Sequence, residues 1–155
     1  MFFVTNPLAL EHQLCFALYS ASRATTAAYR TMLEDLGITY PQYLVLLTLW
    51  ERDGRGVRDI CDALDLDTGT LSPLLKRLES QELIERRRLT SDERRVEIHL
   101  TESGLALRSK AEDIPRTLAE ATGLDLDELV KLREVLVRLG KHLQTSNAVD
   151  GKKKP

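Results

Sequence analysis

A chain of 155 residues, 43% hydrophobic and 30% charged, has room for one domain with a core, or a small domain with an oligomerising arm. Two cysteines far apart in sequence argue against a disulfide framework and for a reducing cytoplasm, and no apolar run approaches the roughly 20 residues of a membrane span. The net charge of −2 first argues against nucleic acid, but distribution outweighs the total, because Arg86, Arg87, Arg88, Arg94 and Arg95 gather in one stretch of an otherwise acidic chain.

In chain order, Met1-Phe2-Phe3-Val4-Thr5-Asn6-Pro7 lacks the basic flank and long apolar stretch of a signal peptide. Asn6 and Pro7 predict a helix start, Asn as cap and Pro at the first helical position, with the helix running to about Leu36 before Gly37. Leu14, Leu18, Ala21, Thr25, Ala28 and Met32 step by four and three and lie on one stripe of it. Near its front stands Cys15, a lone thiol beside Phe16 and Tyr19. Thr39-Tyr40-Pro41 opens a second helix, and its run of Tyr43, Leu44, Leu46, Leu47 and Trp50 predicts burial on most sides. Asp53-Gly54-Arg55-Gly56 then breaks the chain.

Two short helices follow, roughly Arg58–Leu64 and Thr68–Gln81, joined by Asp65-Leu66-Asp67. In the second, Leu71, Leu74, Leu75 and Leu78 form the inward stripe, and Asp67 reads as its cap. Pro73 removes one internal backbone bond and leaves the helix start open. Leu83–Leu89 and Arg95–Leu100 read as strands, the second with Val96, Ile98 and Leu100 inward against Arg95, Glu97 and His99 outward. Thr90-Ser91-Asp92-Glu93 is the polar tip between them. Thr101 starts another helix, interrupted by Pro115. A last one begins at Asp125, where Glu128 completes a capping box. Its Leu129, Leu132, Leu136, Leu139 and Leu143 repeat at three-four spacing, a seam too apolar to leave in water. The predicted fold is mainly α with a small β-hairpin wing. A winged helix-turn-helix for DNA binding occupies 37–101, helical dimerisation regions 1–36 and 102–147, and a flexible Lys-rich tail 148–155.

Reading a major groove requires a helix face short enough to approach the bases, with cations to hold phosphates. Thr68, Gly69, Thr70, Ser72 and Pro73 supply the short face; Lys76 and Arg77 supply charge. In the wing, Arg86 and Arg94 stand among arginines suited to phosphates or a narrow minor groove, and Asp92 is spaced to steady Arg94. Any one of these residues is equally well a solvated charge. The order of helix, turn, reading helix, strand, basic tip and strand is what points to DNA.

The stretch from Leu14 to Leu100 resembles the MarR family of winged-helix transcriptional repressors, and most closely its organic hydroperoxide resistance regulator branch. The matching pieces are Leu14-Cys15-Phe16-Ala17-Leu18-Tyr19, Ile38-Thr39-Tyr40-Pro41-Gln42-Tyr43, Leu66-Asp67-Thr68-Gly69-Thr70-Leu71, Leu74-Leu75-Lys76-Arg77-Leu78-Glu79 and Asp92-Glu93-Arg94-Arg95. The resemblance implies a homodimeric repressor that releases a pseudo-palindromic DNA operator when its reactive cysteine is oxidised by an organic hydroperoxide. It implies Cys15 as that cysteine, with Tyr19, Tyr29 and Tyr40 as phenols around it. It also implies Thr68, Gly69, Thr70, Pro73, Lys76, Arg77 and Arg94 as DNA contacts. The expected target is the chain's own promoter and that of a hydroperoxide-reducing enzyme.

Given those roles, spacing adds a constraint. The thiolate is the nucleophile, and phenols can donate hydrogen bonds to it without adding charge. Cys15 and Tyr19 share a helix face, but Tyr29 lies fourteen residues on, about 21 Å along a straight helix. If Tyr29 serves Cys15, an antiparallel partner helix brings it, and Tyr40 joins from the same side. The expected product is a sulfenic acid that a low-molecular-weight thiol then caps. Without the resemblance Cys15 reads rather as a small buried hydrophobe, as most free cysteines are. Cys61 reads as core or as a resolving partner. The relatives that form a disulfide place a second cysteine in the late helices, and Leu105–Gln144 holds none.

His12, His99 and His142 are scattered without metal-ligand spacing, and no phosphate loop, nucleophile elbow or CxxC pair occurs, so neither a metal, a cofactor nor an enzyme is expected. Two other readings stand: a repressor of the same family that answers a small aromatic ligand, with Cys15 incidental, and a thiol-dependent redox enzyme, which leaves the basic wing unexplained.

Overall fold

The computed structural model describes residues 6–89 and 92–150, with side chains described except at 89, 92–95 and 147–150. It divides into two compact units, Met1–Glu112 and Asp113–Pro155. The wing-tip residues Thr90 and Ser91, the side chains of Asp92, Arg94 and Arg95, and the lysines of the C-terminal tail therefore lie outside the described residues.

The first unit begins differently from the sequence expectation. Asn6 caps only a turn, accepting from the Leu8 amide at 3.0 Å, and a 3₁₀ turn at Leu10–His12 follows. The first α-helix, α1, starts at Leu14 and runs to Leu33. The reason lies in Gln13, whose extended backbone (φ −85°, ψ 109°) interrupts the spiral while its side-chain amide donates to the Pro7 and Ala9 carbonyls. A 3₁₀ turn at Glu34–Leu36 and Gly37 in the left-handed region (φ 65°) reverse the chain. Helix α2 then spans Tyr40–Glu51 and is entered through a complete capping box: Thr39 and Gln42 each satisfy the other's backbone N–H.

Past α2, the expected break contains a two-residue strand, β1 (Arg55–Gly56), absent from the sequence reading because two residues carry no period. Helices α3 (Val57–Leu64) and α4 (Thr68–Ser80) follow, then strands β2 (Ile84–Leu89) and β3 (Asp92–Leu100) and helix α5 (Glu102–Ala111). The three strands form one antiparallel sheet in the order β1-β3-β2. Arg55 faces Ile98, Ile84 faces Leu100, and Arg88 faces Val96; beyond Arg88 the register shifts so that Leu89 faces Asp92. The wing is thus longer than expected on its β3 side, with a bulge near its tip.

Both helices of the helix-turn-helix end in the same way. Asp65 and Glu82 take positive φ (57° and 58°), while the Leu66 amide donates to Cys61 O and the Leu83 amide to Leu78 O, each at 3.0 Å. These bonds satisfy carbonyls that the helix ends leave open, and they set a sharp exit after α3 and α4. Pro73 sits inside α4 without ending it. Its ring occupies an exposed position, and the buried Leu71, Leu75 and Leu78 hold the helix against the core. Leu33, Ile38, Tyr43, Val45, Leu46, Leu49, Ile60, Ile84 and Ile98 complete that core. Burying one such side chain contributes roughly 1.5–3 kcal/mol. The arrangement is the winged helix-turn-helix expected from the sequence.

In the second unit, α6 (Ile114–Ala121) carries Pro115 in its first turn, the position where a missing N–H costs nothing. Gly123 (φ 70°) turns the chain, and α7 (Leu126–Asp150) opens on the expected box: Asp125 N–H to Glu128 at 2.9 Å and Glu128 N–H to Asp125 at 2.8 Å. Along α7 three of the five predicted seam leucines are exposed, Leu132, Leu136 and Leu143 at 45%, 38% and 54%, while Leu129 and Leu139 are half-buried. Among the described residues no helix is long and apolar enough to cross a membrane.

Candidate functional site

On α4 the charged and short side chains separate cleanly from the core. Thr68, Gly69, Thr70, Ser72, Pro73, Lys76 and Arg77 are all exposed, on the side opposite Leu71, Leu75 and Leu78. Asp67 caps the helix through both carboxylate oxygens, accepting from the Thr70 amide at 2.8 Å and the Thr70 hydroxyl at 2.9 Å. Those bonds from Thr70 hold the Asp67 carboxyl below the usual carboxylate range, so the cap is an anion at neutral pH. Ser72 donates its hydroxyl to Thr68 O at 2.8 Å. Both hydroxyls therefore spend their protons locally and keep lone pairs for an incoming donor.

The wing arginines are less free than a sequence count suggests. Arg86 Nε lies 3.2 Å from Glu79 Oε2, tying β2 to the reading helix, and Arg87 Nε donates to Glu85 at 2.6 Å. Arg88 is exposed and has no ion pair among the described residues. The Arg86–Glu79 pairing was not read from the sequence, although Glu79 at the end of α4 and the start of β2 was the available signal. His99, facing away from the core, lies between Asp53 (3.4 Å) and Glu97 (3.1 Å) at the base of the sheet.

Near its front, α1 presents Cys15 exposed. Tyr19 is one turn on and 61% exposed, with the Arg23 guanidinium 5.6 Å from its ring centre. Among the described residues Cys15 makes no hydrogen bond, so within one chain neither Tyr19 nor any other phenol attends the sulfur. Tyr29 and Tyr40 do come together. Their rings stack at 4.3 Å because the Gly37 reversal lays the start of α2 against the end of α1. Tyr43, 2% exposed and missed as a member of this group, anchors it with ring centres 5.7 Å from Tyr29 and 6.5 Å from Tyr40. Its spacing of three from Tyr40 was the legible sign.

Burial, then the neighbouring Tyr40 and Tyr43, push the Tyr29 phenol up to about 12. Burial also raises Tyr40, and burial with Tyr40 raises Tyr43. All three stay protonated at neutral pH and can act as donors. Since α1 is one unbroken helix from Leu14 to Leu33, Tyr29 stands about 21 Å along the axis from Cys15. Cys61 is buried on α3, and burial followed by Asp62 and Asp67 raises its thiol, which keeps it a poor nucleophile. Among the described residues no group of three or more His, Cys, Asp or Glu is placed to hold a metal.

The family model described as transcriptional regulator SarA/Rot matches residues 27–114. The organic hydroperoxide resistance transcriptional regulator of Bacillus subtilis (strain 168) is 46% identical over 140 residues, covering 90% of this chain and 95% of that protein. Among solved structures, reduced AbfR bound to DNA is 40% identical with a TM-score of 0.73, covering 86% of this chain and 94% of AbfR. The disulfide-formed AbfR is 37% identical with a TM-score of 0.60, over 90% and 92%. AbfR is a protein of Staphylococcus epidermidis. These relatives are transcriptional regulators, not enzymes.

Proposed function

The chain belongs to the MarR family of winged-helix transcriptional regulators, and from that premise we propose a homodimeric repressor that releases its DNA when an organic hydroperoxide oxidises Cys15. The observation that carries this reading is the division of the sensor along α1. An exposed thiol stands at one end and a cluster of protonated phenols at the other, too far apart to meet within one chain. A second chain running antiparallel brings Tyr29 and Tyr40 of one copy to Cys15 of the other, with Tyr19 one turn further along the thiol's own helix. The bare leucines of α7 and the uncovered front of α1 are the surfaces such a dimer would bury, in the regions 1–36 and 102–147.

The chemistry is a two-electron oxidation. The Cys15 thiolate attacks the terminal peroxide oxygen; the S–O bond forms, the O–O bond breaks, and the alcohol leaves with a proton. A low-molecular-weight thiol then displaces water from the sulfenic acid to leave a mixed disulfide. Cys61, buried and held protonated, takes no part. Added bulk at the sulfur alters the spacing of the two reading helices, which must match half-sites about 34–36 Å apart on a pseudo-palindromic operator. In that complex Thr68, Gly69, Thr70, Ser72 and Pro73 approach base edges. Lys76, Arg77 and Arg86 hold phosphates, and Arg94, steadied by Asp92, enters the minor groove from the wing. Similarity to a hydroperoxide resistance regulator, and to a protein solved on DNA in the reduced state and separately as a disulfide, supports the reading.

A mobility-shift assay with the DNA upstream of the chain's own coding sequence, before and after cumene hydroperoxide, tests it. Cys15→Ser should bind as the parent does and stay bound; release of that variant by the hydroperoxide overturns the proposal.

A further inference from the structure

A relay of two side-chain amides, Gln42 buried and Gln81 exposed, joins the residues before Tyr40 to the end of the reading helix. Gln42 on α2 is 3% exposed, one of two buried polar residues among those described. Its Oε1 accepts from the Thr39 amide at 2.8 Å, and its Nε2 donates to Oε1 of Gln81 at 2.9 Å. Gln81 in turn donates from Nε2 to Gly37 O at 2.8 Å. The ends of this relay fix its direction, because a backbone N–H can only donate and a backbone carbonyl can only accept. Reversing either amide would set two donors or two acceptors face to face.

Every station lies at a structural joint. Gly37 is the reversal that brings α2 back against α1, and Thr39 is the N-cap of α2 directly before Tyr40, whose ring stacks on Tyr29. Gln81 is the C-cap of α4, the last residue before Glu82 takes positive φ and the chain leaves for the wing. Three helix ends are thus tied by two side chains.

We infer that the Gln42–Gln81 pair is the positioning link through which displacement of Tyr29 and Tyr40 reaches the DNA-reading helix. The link rests on the proposed thiol reading, since it carries a signal that Cys15 oxidation would start. When the phenols shift, Thr39 and Gly37 move with them, and the relay passes that movement to the end of α4. Gln42 is buried and Gln81 closes α4 at the end away from Thr68–Pro73, with neither bonded to Cys15, so the pair acts on the coupling between sites rather than on the chemistry.

Gln81 is exposed enough to vary without opening the core, so Gln81→Leu is the primary variant. Gln81→Glu is the second: it keeps an acceptor for Gln42 but sets an oxygen against Gly37 O. Operator affinity is measured for reduced and peroxide-treated protein, with intact mass recording Cys15 oxidation and a thermal melt recording folding. The reduced variants should bind within about threefold of the parent and oxidise alike, while the affinity lost on oxidation shrinks at least about fivefold, the lower end of allosteric coupling. An unchanged oxidised-to-reduced ratio overturns the link, as does loss of binding in the reduced state, because the pair then merely supports the helix. A parent protein that keeps its DNA after Cys15 is oxidised overturns the thiol reading itself, and the link with it.

Discussion

Gly104 stands in the first turn of α5, and replacing it with alanine sets two effects against each other. Helix propensity alone favours alanine over glycine by about 1 kcal/mol. Packing forbids it: an added Cβ would lie 2.0 Å from the Leu83 carbonyl oxygen and 3.2 Å from Leu100 Cδ2. Leu83 cannot simply yield, for its carbonyl also accepts from the Thr101 amide at 3.2 Å, and Glu82 O accepts from the Thr101 hydroxyl at 2.5 Å. On the other side, Gly104 O is held by Trp50 Nε1 at 2.9 Å. Relieving the clash moves α5 away from the exit of the reading helix and strains these bonds together, at the upper end of overpacking costs, about 3 kcal/mol. Offset by propensity, the net loss is about 2 kcal/mol, or about 4–8 °C in melting temperature for a chain of this size. Urea denaturation at fixed protein concentration measures it, the fixed concentration being needed because dimerisation contributes to stability. A Gly104→Ala protein as stable as the parent, or more so, would refute the packing argument.

Asp67→Ala removes both bonds to Thr70 and should lower the melting temperature by about 2–4 °C while weakening operator binding; Asp67→Asn, which keeps a cap, should recover most of the stability. Arg77→Ala should lower the salt dependence of DNA binding by about one counterion per subunit, and Arg86→Ala by less, because Glu79 already neutralises Arg86; equal slopes count against this. Tyr29 binds its proton more tightly in the folded chain than in the unfolded one. Its contribution to stability is therefore complete below pH 10, the ordinary phenol value, and is lost as pH rises through about 12. Alkaline melts of Tyr29→Phe should lack Tyr29's share of that decline, and ultraviolet titration should show the clustered phenols Tyr29, Tyr40 and Tyr43 ionising late.

Where the sequence carried a period or a cap, it was enough to place the structure. The Leu71, Leu75 and Leu78 stripe fixed the outward face of α4, and Asp67 and the Asp125–Glu128 pair marked helix starts to the residue. The start of α1 misled, because Asn6-Pro7 is a sound capping signal whose helix Gln13 then interrupts from six residues away. Strand β1 was too short to show alternation, since it exists only through its partner Ile98 and Glu97. Site residues divided in the same way. Exposure of the α4 face follows from local spacing, whereas the Arg86–Glu79, Tyr29–Tyr43 and Gln42–Gln81 contacts join segments whose approach depends on the tertiary fold.

Mixed dimers decide whether the thiol and its phenols belong to different chains. One copy carries Cys15→Ser with its tyrosines intact; the other keeps Cys15 but carries Tyr29→Phe and Tyr40→Phe. If the site is shared, the first copy's phenols complete the second copy's Cys15, and the mixed dimer retains one whole sensor. Cumene hydroperoxide should then release it from operator DNA, while each parent homodimer responds weakly or not at all. A mixed dimer that stays bound as firmly as the Cys15→Ser homodimer, with its remaining Cys15 unoxidised by mass, would contradict a sensor built across two chains.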